Sequence, residues 1–199
     1  MLTDGQIEEL APRMGIPLKW IGFKSELPRK LYPNMSYIVN LEDAVDKDGK
    51  GNLGSHWTCF QVREYPNKTL QAVYFDSYGV GAPKIVCDTI ANNFGCGVYH
   101  TNKDIQSLMS EVCGYYCLAF LHFINECPQR TGEIVQDTEI FMSMFDDLDT
   151  VYDFKRNEYT LKHFFLAKDS KIRKSVEIIN DDIKETMEAL KTQTMEAKM

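Results

Sequence analysis

The chain has 199 residues, of which 44% are apolar, 12% aromatic and 26% charged. That composition describes one ordinary domain, or one domain with an appendage, and it excludes disorder, collagen-like repeats and low-complexity arrays. A net charge of −7 excludes a protein that is basic as a whole and binds nucleic acid on that account. No stretch nears the roughly 18 consecutive apolar residues of a membrane span. The start, MLTDGQIEEL, is acidic and amphipathic, with neither the basic nor the apolar region of a signal peptide. The expectation is a protein that works inside a cell, or inside a particle assembled there, without a membrane partner.

The elements follow in a mixed α+β order. Thr3-Asp4-Gly5-Gln6 fits a capping box, and Ile7, Leu10, Ala11 and Met14 follow at helical spacing to a stop at Gly15. Residues 18–23 and 37–41 read as short strands. Residues 43–54 (DAVDKDGKGNLG) are a polar, Gly-rich loop; Asp46, Asp48 and Lys50 are spaced as in a calcium loop, but the closing Glu is missing and calcium is rejected. Residues 55–63 and 69–77 read as two strands joined by a turn centred on Pro66. That register sets Val62 against Leu70, Phe60 against Ala72 and His56 against Asp76, with opposed Cβ atoms about 5 Å apart. A slip of one residue would turn Asp76 to the other face.

Residues 77–83 are rich in turn formers, 85–94 read as a helix and 98–100 as a short strand. The run 113–127 is apolar on every side, which marks a buried helix. Residues 134–153 read as helical, and 158–166 fit strand or helix. Val176, Ile179, Ile183, Met187 and Leu190 form the narrow apolar seam of a C-terminal amphipathic helix. Charge is segregated: 133–153 hold seven acids and no base, 155–174 seven bases against two acids. Two solvated faces are the default reading of such runs.

Six cysteines, at 59, 87, 96, 113, 117 and 127, read as reduced thiols in a chain of this size without a secretory signal. Zinc is not expected, because on one helix His122 lies about 180° from Cys113 and the ligands could not converge. Cys113 starts the buried helix, where the dipole and the free N–H groups favour a thiolate. A His can take its proton and a carboxylate can orient that His. Gln106, seven residues earlier, can donate to an oxyanion together with the Cys113 backbone N–H, and Gly114 leaves room for substrate beside the sulfur.

With these residues in place, GSHW, then YFDSYG, then QSLMSEVCGYYCLAFLHF resemble the adenain-like cysteine proteases. These are maturation proteases of adenoviruses and of related large DNA viruses, virophages and polinton-type elements. They share their fold and the order His, Asp or Glu, Gln, Cys with the SUMO-deconjugating proteases. The resemblance covers about residues 2–127 and lies nearer the virophage or polinton branch, because the acid is Asp76 where adenain has Glu; residues 134–199 match nothing named.

The resemblance implies Cys113 as nucleophile, His56 as general base, Asp76 as its orienter and Gln106 as oxyanion donor, with Trp57 over the substrate cleft. It implies a papain-like α+β domain over residues 1–170, with the central helix on a mainly antiparallel sheet, followed by a helical extension over 171–199. It implies peptide hydrolysis through a thioester without metal or cofactor, on capsid and core precursors, in the virion or the host-cell interior. DNA or a viral peptide as activator is a further implication, for which residues 155–174 are the basic candidate. Two other classes share the motifs: an isopeptidase removing ubiquitin-like modifiers, and a non-catalytic packaging protein on the same fold.

Overall fold

The computed structural model describes residues 1–127, 130–147 and 153–165. Its chain divides into two compact units, Met1–Leu161 and Lys162–Met199. The expected C-terminal helix at 176–190, the bases from Lys168 onward and the boundary at 170 lie outside the described residues.

Helix α1 (Asp4–Arg13) carries the capping box: Thr3 Oγ1 accepts from the Gln6 N–H, and the Gln6 side chain accepts from the Thr3 N–H at 2.9 Å. Ile7, Leu10 and Ala11 are its buried face. Strands β1 (Leu18–Phe23), β2 (Ser36–Asn40), β3 (Trp57–Glu64), β4 (Leu70–Phe75) and β5 (Val98–His100) form one sheet in sequence order. β2, β3 and β4 are antiparallel neighbours, whereas both edge strands run parallel to theirs. Parallel neighbours need crossovers. The first passes through a short 3-10 turn (Lys24–Glu26), the second through α2 (Lys84–Phe94). The sheet is therefore mixed, with only its centre antiparallel.

The β3–β4 register differs from the expected one by two residues. Phe60 faces Tyr74, Val62 faces Ala72 and Glu64 faces Leu70. The reason is the turn, which is centred on Asn67 rather than Pro66. Tyr65 N–H donates to Thr69 O at 3.0 Å, Lys68 N–H donates to Tyr65 O at 2.8 Å, and Lys68 takes φ 65°. This is the three-residue hairpin loop that ends in a left-handed residue. An even slip preserves the face on which every side chain lies, so the placement of His56 and Asp76 on one side survives the error.

One face of the sheet packs Tyr37, Val39, Phe60, Val62, Ala72 and Tyr74 against Val86 and Ile90 of α2. The other face takes the buried helix α3 (Cys113–Glu126) and α4 (Ile134–Ser143). Phe75 stacks on Phe120 at 4.6 Å, and Phe141 meets both edge-on. Such pairs contribute about 0.5–1.5 kcal/mol each beyond the area they bury.

Alternate residues of β3 then lock the register of α3. Cys117 Sγ donates to Trp57 O at 3.3 Å, Gln61 and Asn125 exchange two amide bonds at 3.0 Å, and Arg63 Nη2 donates to Ile124 O at 2.6 Å. The helix start is thereby fixed against the start of β3. Helix α5 (Asp153–Phe165) begins five residues ahead of the ambiguous segment and resolves its described part, 158–165, as helix.

Candidate active site

His56 stands immediately before β3 and Asp76 immediately after β4, so neighbouring strand ends deliver both. His56 Nε2 and Asp76 Oδ1 are 2.7 Å apart, and the two side chains are 9% and 1% exposed. Asp76 Oδ1 also accepts from the Tyr78 N–H at 2.9 Å. With Nε2–H committed to Asp76, the ring presents Nδ1, which is buried without a hydrogen bond of its own. Burial alone would lower the His56 pKa. The hydrogen bond and charge of Asp76, with Cys113 close by, outweigh it and push the imidazole up to about 9.

Cys113 is the first residue of α3 and 2% exposed. Its Sγ accepts from the Trp57 N–H at 3.4 Å. The first N–H groups of a helix have no partner within it, so this end of α3 offers donors as well as a thiol. The structure thus brings Cys113, His56 and Asp76 together from three elements. All six cysteines are free thiols. Burial pushes the Cys117 thiol well above its ordinary range, and that residue ties helix to strand. His122 Nδ1 lies 2.7 Å from Met14 O, away from the site.

Gln106 lies in irregular chain between β5 and α3 and is joined to the site through Tyr78. Its Oε1 accepts from Ser77 Oγ at 2.7 Å. Its Nε2 donates to Ser110 O at 2.7 Å and to the Tyr78 hydroxyl at 3.3 Å. The second bond is the longer of the two, so this N–H is the less firmly held donor.

Trp57 and Gly114 are both drawn into the packing around the start of α1. The Trp57 indole N–H donates to Leu2 O at 2.9 Å, and the side chain is almost wholly buried. At Gly114 an added Cβ would lie 3.2 Å from both Leu2 Cβ and Ile7 Cδ1. Leu2 precedes the Thr3 cap and Ile7 sits four residues beyond it, the two positions of a hydrophobic staple. The space on the Cβ side of Gly114 therefore holds the staple of α1 where the sequence suggested room for substrate, and a side chain there would crowd it.

Tyr78 was not singled out by the sequence. Its ring stacks on the His56 imidazole at 4.3 Å and 23°. Burial, with Cys113 and Asp76 nearby, pushes its hydroxyl up to about 12, so it stays protonated. The turn that aims it closes with Gly79 N–H on Asp76 O at 3.0 Å. Gly79 has φ 66° and lies too close to the 102–103 backbone for a side chain. An aromatic two residues after the acid, followed by glycine, was the available signal.

Among the described residues no cluster of three or more His, Cys, Asp or Glu is placed to hold a metal ion, and no helix is long and apolar enough to cross a membrane. Asp46 accepts from the Asp48 and Lys50 N–H groups within its own turn. The charge runs are not simply solvated faces: Asp137 is buried with Oδ2 3.6 Å from Arg63 Nη1, and Asp146 pairs with Arg156 at 2.5 Å.

No family model matches the chain, and no curated protein does. Among solved structures it is similar to the ASFV pS273R protease, with 16% identity, a TM-score of 0.33 and coverage of 63% of this chain and 43% of that one. It is also similar to the Xanthomonas campestris effector protein XopD bound to ubiquitin, with 13% identity, a TM-score of 0.38 and coverage of 81% and 90%. The chain thus spans less than half of the ASFV protease. Likenesses at this level carry no weight on mechanism, which rests on the geometry.

Proposed function

We propose that the protein is a cysteine endopeptidase in which Cys113 is the nucleophile, His56 the acid–base, Asp76 its orienter and Gln106 an oxyanion donor. The observation that carries this is the His56–Asp76 bond at 2.7 Å, which leaves Nδ1 for a thiol at a helix start. With its pKa at about 9, His56 is an imidazolium at neutral pH and a fitting counter-ion for a thiolate.

Sγ adds to the substrate carbonyl, and the oxyanion takes the Cys113 N–H and the Gln106 Nε2–H now directed to Tyr78. The imidazolium gives its proton to the departing amine as the C–N bond breaks, leaving a thioester. Neutral His56 then takes a proton from water, whose oxygen attacks the thioester, and the thiolate leaves. No step needs a metal or an organic cofactor.

The motifs GSHW, YFDSYG and QSLMSEVCGYYC, through their resemblance to adenain-like enzymes, support capsid and core precursors as substrates, cut in the virion or the infected cell. The test is mass spectrometry of new termini when wild-type protein or Cys113→Ala meets particle proteins and, separately, conjugates of ubiquitin-like modifiers. New termini in particle proteins with the wild type alone are expected. Cleavage of modifier conjugates only would make the protein an isopeptidase, and termini that persist with Cys113→Ala would overturn the assignment.

A further inference from the structure

The segment bearing Gln106 is gripped from outside by two consecutive residues of α5. Asn157 is fully buried. Its Nδ2 donates to Ile105 O at 3.1 Å and to Asp146 O at 2.8 Å, while its Oδ1 accepts from the Asp146 N–H at 2.7 Å. Glu158, 4% exposed, accepts through Oε1 from Ser110 Oγ at 2.7 Å. Ser110 O is in turn the acceptor of the short bond from Gln106 Nε2. One α5 residue therefore holds the chain just before Gln106, and the next holds the residue to which Gln106 is anchored.

The burial of Glu158 is costly. Its Oε2 has no partner and desolvation pushes the carboxyl up to about 7, although the Ser110 bond opposes this. Unpaired buried carboxylates are disfavoured unless something requires them. Ser77 O also accepts from the Ile105 and Gln106 N–H groups at 2.9 and 3.1 Å, but on the Ser110 side the chain runs through Leu108 and Met109, which are 81% and 74% exposed.

We propose that Asn157 and Glu158 are positioning residues for the oxyanion donor, so that α5, outside the stretch that resembles known proteases, is part of the catalytic apparatus. This rests on the peptidase reading above. Oxyanion stabilisation depends on where a donor stands when charge develops, and loss of one such donor lowers kcat by about 10²–10³. Loosening the donor should cost part of that.

Two reactions of the same sulfur separate donor placement from damage to the site. Peptide hydrolysis passes through an oxyanion. Alkylation by iodoacetamide forms an S–C bond with loss of iodide and no oxyanion, yet it needs the same thiolate. Asn157→Ala and Glu158→Ala should lower kcat about tenfold, with KM and the Cys113 alkylation rate at wild-type values. Glu158→Gln, which keeps an acceptor for Ser110, should recover most of the loss. In a Gln106→Ala background, Glu158→Ala should cost nothing further. Should Asn157→Ala fail to fold, Ser110→Ala breaks the other link from the loop side and should reproduce the tenfold loss.

Parallel loss of hydrolysis and alkylation, or an undiminished Glu158→Ala penalty without Gln106, would overturn the proposal. A wild-type protein that alkylates selectively at Cys113 but cleaves no peptide bond would instead remove the peptidase reading.

Discussion

The two walls of the site are built on different principles. On one, His56 and Asp76 leave adjacent ends of an antiparallel pair whose ladder sets their spacing, and their bond is buried. On the other, Gln106 lies in chain without regular structure, held by side chains from distant elements, Ser77, Tyr78 and the α5 pair among them. In the proposed mechanism the first wall handles protons and can be specified by a few local residues. The second handles developing charge, and its accuracy depends on the whole fold. Substitutions on the first should change every reaction of Cys113, those on the second only reactions that pass through an oxyanion.

The largest effect tests the proton wall. His56→Ala should lower hydrolysis by about 10⁴-fold and slow alkylation near neutral pH with it. Wild-type alkylation in that variant would show that the imidazole does not support the thiolate. Asp76→Asn should cost less, about 10²–10³-fold, because Asn can still accept from the ring. Equal activity of Asp76→Ala and wild type would dissolve the pairing.

A pH series sharpens the same wall. His56 has a folded pKa of about 9, above its ordinary 6.5. A raised pKa stabilises the fold fully below 6.5, and the contribution is lost as pH rises towards 9. Stability should therefore decline over that window and kcat around pH 9, where folded His56 itself loses its proton, and His56→Ala should flatten the stability decline; a profile without it would contradict the ion pair. Tyr78→Leu removes the stacked ring and should move the basic limb down by about half a pH unit, while Tyr78→Phe should leave it in place. Identical limbs in both variants would make Tyr78 a bystander.

The smallest effect concerns the foundation of the nucleophile. Gly114→Ala forces a methyl against Leu2 and Ile7 and should lower stability by about 1–3 kcal/mol in thermal unfolding. Unchanged stability would mean that the staple yields easily.

The same contrast explains what could be read before the fold was known. The Thr3–Gln6 box, strands 18–23 and 98–100 and the start of α3 at Cys113 match the structure because each is written in contiguous residues. The β3–β4 register was two residues off because Pro66 attracts a turn that the left-handed Lys68 in fact places around Asn67. Face parity depends only on odd against even, so His56 and Asp76 were still assigned to one side. Asn157 and Glu158 were illegible for a different reason. Their partners are 52 and 48 positions away, and no local spacing marks a residue whose task is to hold a distant loop. Gly114 was misread because a glycine beside a nucleophile suggests access, whereas here it accommodates a helix staple from the other end of the chain.

That staple also bears on the timing of folding. Leu2 bonds to Trp57 across 55 positions and packs on Gly114, which leaves the ribosome much later still. Contacts of such separation form slowly, because a long loop must close before they reward the chain. The staple therefore finds its seat only when two segments far apart in the chain have met, and a chain that has not closed this loop holds Cys113 without the buttress that sets it. Under the peptidase reading proposed above, competence therefore waits on that closure and not on the thiol alone.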